Sequence, residues 1–167
     1  MTAHGFAQAD SLVSTLTGIG IDHIRCSPYD RARQSVAPFA SASGLDVRLD
    51  ERLVERRRSR QPISNYIDFV RQSFADFDFC KPGGESGREV GARGLIVLSE
   101  MFDSSHRRPL LSSHGQLLSF LTALVDPGYD FEHWKQLTLP ALFRFRREHD
   151  AISYEVLPLV SVAPTLG

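Results

Sequence analysis

The sequence predicts a three-layer α/β/α sandwich, with a mostly parallel sheet that carries an antiparallel edge. Three observations lead there. Short apolar, β-branched runs alternate with stretches whose apolar residues recur at helical spacing. Glycine and proline stand at the junctions between them. Near the end of the chain, two alternating runs are separated only by His149-Asp150, as in an antiparallel pair. A hydrophobic content of 42% in 167 residues is enough for a single domain, 1–167, with one buried core.

Phe6, Ala9, Leu12, Val13 and Leu16 form a helical stripe that Gly18 and Gly20 end. Ile21 to Cys26 is a short strand. Ser27-Pro28 opens a helix from about Tyr29 to Ala42, with Ala32, Val36, Phe39 and Ala40 on one face; Pro38 should kink or shorten it, and Gly44 stops it. Asp46 to Leu53 is a modest strand, and Arg56 to Pro62 a basic loop. Ile63 to Phe77 has helical spacing, Pro82-Gly83-Gly84 is a turn, and Ser86 to Met101 is a helix with Val90, Ile96, Val97 and Met101 as core candidates. Arg108 to Ser113 is a strand and Gln116 to Val125 a helix. Leu142 to Arg147 and Ile152 to Leu159 are the terminal strand pair, and residues 164–167 are expected to fray.

The formal net charge of −1 gives no general attraction to nucleic acid or to a membrane surface. No apolar run approaches the roughly 20 residues that span a bilayer, and the first residues lack the basic and apolar regions of a signal peptide. A cytoplasmic protein is expected. Cys26 and Cys80 have no metal-ligand spacing and read as buried or half-buried thiols of a reducing compartment, not as a disulfide; His23, His106, His133 and His149 have no such spacing either.

Four segments carry chemistry. Cys26-Ser27-Pro28-Tyr29-Asp30-Arg31 puts an arginine in the first turn of a helix after a strand, where a guanidinium can grip a phosphate with two parallel hydrogen bonds. Leu53-Val54-Glu55 places a carboxyl group where a strand gives way to a loop. Pro82-Gly83-Gly84-Glu85-Ser86 feeds a helix that contains Arg93. Leu110-Leu111-Ser112-Ser113-His114-Gly115 puts a histidine at the carboxyl end of a strand, at a helix start that favours anions.

In these four segments, in this order, the chain resembles the phosphoglycerate mutase-like histidine phosphatases. Cys26 to Ala37 is similar to that family's Ser-Ser-Pro-Leu-x-Arg-Ala-x-Gln-Thr-Ala segment with four letters changed. Leu53 to Glu55 resembles its Leu-x-Glu, Pro82 to Ser86 matches its Pro-Gly-Gly-Glu-Ser letter for letter, and His114-Gly115 resembles its second His-Gly. The resemblance covers about residues 1 to 125. It implies phosphomonoester hydrolysis through a phosphohistidine, without metal or cofactor. Arg31 would bind the phosphoryl oxygens, His114 would bind and stabilise the transferring phosphoryl group, and Glu55 would be the proton donor. A phosphoryl group in flight needs positive donors around its oxygens and a proton for the departing one. The partner would be a phosphorylated small molecule or a phosphoprotein.

The family's nucleophile lies in an Arg-His-Gly motif that ends its first strand, and the resemblance places that strand ahead of Met1. Ala3-His4-Gly5 is a decoy: Met1 to Ala9 is similar to the segment that starts the family's first helix. The chain is therefore expected to be truncated at the first strand, through a misassigned start in preference to a genuine loss, and to have little activity as written. The alternatives are a catalytically dead scaffold that still binds phosphate or phosphoprotein, and a mutase-type phosphotransferase; the short chain favours hydrolysis. Arg56 to Arg60 is expected to be a solvated loop, Glu85 to meet the start of the next helix, and Phe69, Phe74, Phe77 and Phe79 to shape substrate choice.

Overall fold

In the computed structural model, residues 1–159 are described. The tail expectation at 164–167 falls outside them. Helix α1 (Ala3–Ile19) leads into β1 (His23–Cys26), α2 (Asp30–Ser43) and β2 (Val47–Leu49). A single 3-10 turn (Glu51–Leu53) precedes α3 (Tyr66–Ala75) and α4 (Gly87–Phe102). Then follow β3 (Pro109–Ser112), α5 (Gly115–Val125), α6 (Phe131–Gln136), β4 (Leu142–Glu148) and β5 (Ala151–Leu157).

The sheet is parallel in the order β2-β1-β3, with Ile24 opposite both Val47 and Leu110. The expected antiparallel edge is instead a separate hairpin, β4-β5. Both nevertheless stand in one layer. On β3, Leu110 packs against the cluster of α1 and α2, and Leu111 against that of α4 and α5. On β4, Leu142 joins the first cluster and Phe145 the second. Strand side chains alternate faces, so this division fixes the hairpin in the plane of the sheet.

A cavity of about 1100 Å³ lies between β3 and β4, and Leu12, Leu16, Leu110, Leu117, Leu142 and Phe145 are among its lining residues. Among the described residues, β3 pairs only with β1 and β4 only with β5. Two strand edges thus flank one apolar space with their backbone groups unpaired, an arrangement that buried backbone normally avoids.

Several elements differ from the sequence reading. α1 runs on to Ile19 because Gly20, at φ 76°, supplies its left-handed cap. Phe6 and Ile96 are exposed: each sits beside the inward stripe that Ala9, Leu12 and Leu16, or Val90 and Val97, already fill. Pro38 does not shorten α2, which continues to Ser43. The expected strand Asp46 to Leu53 splits into β2 and the 3-10 turn, because the Asp50 side chain accepts the Arg52 N–H and caps the turn. α6 had no apolar stripe long enough to read; an Asp130–His133 capping box starts it. α4 and α5 approach so closely that a Cβ on Gly91 would lie 2.8 Å from the Phe120 carbonyl oxygen.

Candidate functional site

Each strand of the parallel sheet ends at the same edge, and the four segments meet there. β3 delivers Ser112, whose Oγ donates to the Ala32 carbonyl at 3.2 Å, and Ser113, whose Oγ donates to the Leu53 carbonyl at 2.7 Å. The two serines thereby tie the strand end to α2 and to the loop of Glu55. His114 follows as the N-cap of α5, and it is 7% exposed.

Arg31, in the first turn of α2, donates its Nε–H to His114 Nδ1 at 3.0 Å. A guanidinium has no acceptor, so Nδ1 is unprotonated and the neutral ring carries its proton on Nε2. That N–H donates to Ser27 Oγ at 2.8 Å. Burial, reinforced by the Arg31 and Arg93 charges, pushes the His114 imidazole down to about 4. Tyr29 closes one side, its ring edge-on to His114 at 5.2 Å and under the Arg31 guanidinium at 5.1 Å. The neighbouring Cys26 thiol is pushed up by burial, and its Sγ–H is spent on the Ser27 carbonyl at 3.2 Å; Cys80, expected to be at least half-buried, is exposed on the loop ahead of α4.

Glu55 arrives from the other side. Its Oε1 accepts the backbone N–H of Arg56 at 2.9 Å and of Leu117 at 3.3 Å, in the first turn of α5. Its Oε2 has no hydrogen-bond partner among the described residues. The N–H groups of Gly115 and Gln116 also lack acceptors among them, and they point from the positive end of α5. Arg31, Glu55 and His114 all line the sheet-edge end of the cavity beside β3. The three residues singled out from the sequence therefore converge, around donors suited to an oxyanion.

The Pro-Gly-Gly-Glu-Ser turn is a brace for this loop. Gly84 passes so close to the neighbouring chain that a Cβ there would sit 2.4 Å from the Arg58 carbonyl oxygen. Contrary to expectation, Glu85 does not meet the start of α4; Ser86 and Glu89 form that capping box themselves. Glu85 instead accepts both Nε–H and Nη2–H of Arg93, at 3.0 and 3.1 Å, and the Arg57 N–H at 2.8 Å. Burial alone would raise its carboxyl, but Arg93 and the Arg57 amide outweigh it and hold it below the usual range. Arg93 then donates its Nη1–H groups to the Arg52 and Val54 carbonyls at 2.6 and 2.7 Å, just ahead of Glu55.

The arginine run is not a uniformly solvated loop. Arg56 is 2% exposed, held by the Glu85 and Phe79 carbonyls and Gln116 Oε1, with its guanidinium 4.9 Å from both the Phe69 and Phe120 rings. Burial pushes it down to about 10. Phe69, Phe74, Phe77 and Phe79 pack with one another, Phe120 and Val70, and line neither cavity at the site; their expected role in substrate choice is not seen. His4 is exposed on the first turn of α1 and does not line the cavity. No helix among the described residues is long and apolar enough to cross a membrane.

Sequence reading missed Ser27, Arg56 and Gln116. Ser27 had a signal, since it directly precedes the helix that carries Arg31. The other two had none, because burial of a polar side chain on a loop depends on distant partners.

The His114 arrangement has a stability consequence. In the unfolded chain the imidazole takes up a proton near pH 6.5, whereas in the folded chain it stays neutral down to about 4. Its contribution is present above about pH 6.5 and is lost as pH falls toward 4. Between pH 7.5 and 4.5 the loss should be about 2–3 kcal/mol. Urea unfolding of the wild type and of His114→Gln at both pH values checks this: the wild type should lose that much more stability than the variant. Equal losses would contradict the buried neutral imidazole.

The sequence profile of the histidine phosphatase superfamily (branch 1) matches residues 1–155. A probable phosphoglycerate mutase GpmB of Enterobacter sp. (strain 638) is 31% identical over 140 residues, covering 77% of this chain and 65% of that protein. Its counterpart in Proteus mirabilis is 33% identical over the same shares. The chain thus spans somewhat less than two thirds of the length of these relatives. Among solved structures, mycobacterial glucosyl-3-phosphoglycerate phosphatase with inorganic phosphate superposes with a TM-score of 0.72 at 19% identity, covering 96% of this chain and 87% of that one. The alpha-ribazole phosphatase of Shigella flexneri gives 0.68 at 20%, covering 93% and 82%. These structural likenesses establish the fold. Together with the profile match across the segments that carry Arg31, Glu55 and His114, they make the chain a member of the histidine phosphatase superfamily, branch 1.

Proposed function

We propose that this fold hydrolyses a phosphate monoester of a small molecule through a phosphohistidine, and that its nucleophile is delivered by a strand outside the described residues. The observation that carries the reading is the Arg31–His114 contact at the open end of α5, with Glu55 beside it. The cavity between the unpaired edges of β3 and β4 supports the second part. A strand parallel to β3 would hydrogen-bond both edges, bury its side chains against both apolar clusters, and end level with His114. A histidine there would face the phosphoryl donors.

In this reading an imidazole nitrogen attacks phosphorus while the bond to the leaving oxygen breaks. Glu55 gives that oxygen a proton through Oε2. Arg31, His114 and the α5 amides hold the equatorial oxygens, whose charge is greatest in the transition state. Water then attacks the phosphohistidine, and the Glu55 carboxylate takes its proton. Substrates of this class fit the site: among the structural neighbours are phosphatases named for glucosyl-3-phosphoglycerate and alpha-ribazole.

The residues Met1 to Gly167 alone would bind phosphate esters and turn them over little, because among the described residues the other imidazole that lines the cavity, His106, precedes β3 and stands at the end away from Arg31. Brief reaction of 32P-labelled substrate with a form extended by a strand ending in Arg-His-Gly should leave acid-labile, base-stable label on protein. No such label on the extended form, or equal label on the chain alone, would overturn the reading.

A further inference from the structure

Glu55 and Gly115 line two cavities. One is the space beside β3. The other, of about 290 Å³, shares Glu55, Gly115, Leu137 and Leu139 with the first and is lined further by Tyr66, Gln116, Trp134 and Lys135, among others. We propose that this second pocket receives the leaving group of the phosphate ester, and that it favours an alcohol bearing a ring and a carboxylate. The inference rests on the phosphoryl-transfer reading of the Arg31–His114 end.

The position is the first argument. A proton donor to a leaving oxygen must stand between the phosphoryl group and the rest of the alcohol. Glu55 lines both the pocket that holds Arg31 and His114 and the one that holds Tyr66 and Trp134, so it can serve a bond that joins the two. The volume is the second. It lies at the low end for small-molecule sites, so it admits a ring-sized group.

The lining supplies the chemistry. Tyr66 and Trp134 stand edge to face, with centroids 6.0 Å apart, and offer an apolar wall for a flat ring. The Gln116 side-chain N–H donates to the Tyr66 oxygen at 2.7 Å. The Tyr66 hydroxyl proton is therefore left to donate to a ligand. Gln116 itself is fixed from behind by Arg56 Nη1, at 3.4 Å.

Charge is the last element. Arg58 stacks over the Tyr66 ring at 5.1 Å and has no carboxylate partner among the described residues. Lys135 lines the pocket, and its single carboxylate neighbour, Glu132, is 3.8 Å away on the same helix turn. Two exposed cations flanking a ring-binding wall match an alcohol with an anionic group at its far end. The arginine loop thus sets the exposed Arg58 against the Tyr66 wall of the pocket, while Arg56 is buried.

Trp134 is the single tryptophan of the chain, so its emission reports occupancy of this pocket. The experiment titrates the chain with inorganic phosphate, phenyl phosphate and 4-carboxyphenyl phosphate, by calorimetry and by Trp134 fluorescence. All three should bind. The two esters should change Trp134 emission, inorganic phosphate should not, and the carboxylated ester should bind about tenfold more tightly than phenyl phosphate. The double variant Arg58→Ala/Lys135→Ala should bring the two esters within twofold of each other and leave phenyl phosphate affinity unchanged. Equal affinity of the two esters in the wild type, or unchanged Trp134 emission with phosphate binding intact, would overturn the assignment of this pocket alone. No binding of any of the three would overturn the phosphoryl site and this inference with it.

Discussion

Supplying a strand that ends in Arg-His-Gly ahead of Met1 is expected to raise hydrolysis of p-nitrophenyl phosphate by about 10⁴-fold or more over the chain of Met1 to Gly167. Loss of a nucleophile from an otherwise intact site has effects of that order. The structural basis is the cavity of about 1100 Å³, flanked by the edges of β3 and β4 and walled by leucines from α1, α5 and both strands. A strand placed there exchanges two unpaired edges for two hydrogen-bonded ladders and covers apolar surface now facing the cavity. The extended form should therefore also melt at a higher temperature and associate less at high concentration. Equal turnover in the two forms would show that the nucleophile is already present among the 167 residues. His4 would be the first candidate, although it is exposed on α1 and does not line the cavity that holds Arg31 and His114.

Arg31→Ala should have the second largest effect. In the extended form it should lower turnover by about 10²–10³-fold, the range for removing one preorganised donor to a charged transition state. In the chain alone it should weaken inorganic phosphate binding by roughly 10–100-fold, the worth of hydrogen bonds to a charged group. Arg31→Lys should recover only part of either, because a lysine ammonium cannot offer the planar pair of donors that a guanidinium offers to a phosphoryl group. Steady-state kinetics and calorimetry check the two halves. Retained phosphate affinity in Arg31→Ala would remove this residue from the site.

The convergence of Arg31, Glu55 and His114 at one sheet edge was largely legible because each sits at a junction that local sequence marks. Ser27-Pro28 starts α2, Ser112-Ser113 ends β3, and Gly115 opens α5. Arg31 and His114 follow from those junctions, and their 3.0 Å contact is what the common sheet edge dictates. The parallel order of the three strands also follows from their alternation with helices. What local sequence did not carry was tertiary. Nothing within Arg56 to Arg60 distinguishes the buried guanidinium from its exposed neighbours; Phe69, Phe120 and the Glu85 carbonyl make that choice from a distance. Pro82 to Ser86 was recognisable as a turn, yet its work as a brace depends on Arg93 reaching back to Arg52 and Val54. The separation of β4-β5 from the sheet was likewise not legible, since alternation defines a strand and not its neighbour.

The central claim is that the Arg31–His114 pair is the phosphoryl site, and the most direct measurement is a titration of the chain with inorganic phosphate watched at the His114 ring by 15N NMR. Without ligand, the ring should be the neutral tautomer protonated at Nε2 and should stay neutral to about pH 4. An anion that draws the Arg31 guanidinium away frees Nδ1, and the added negative charge favours a proton there. Saturating phosphate at pH 6 should therefore convert His114 to the doubly protonated ring, with uptake of a proton that calorimetry in buffers of different ionisation enthalpy would count. A His114 ring that keeps its neutral signature while phosphate binds elsewhere on the chain would contradict the account.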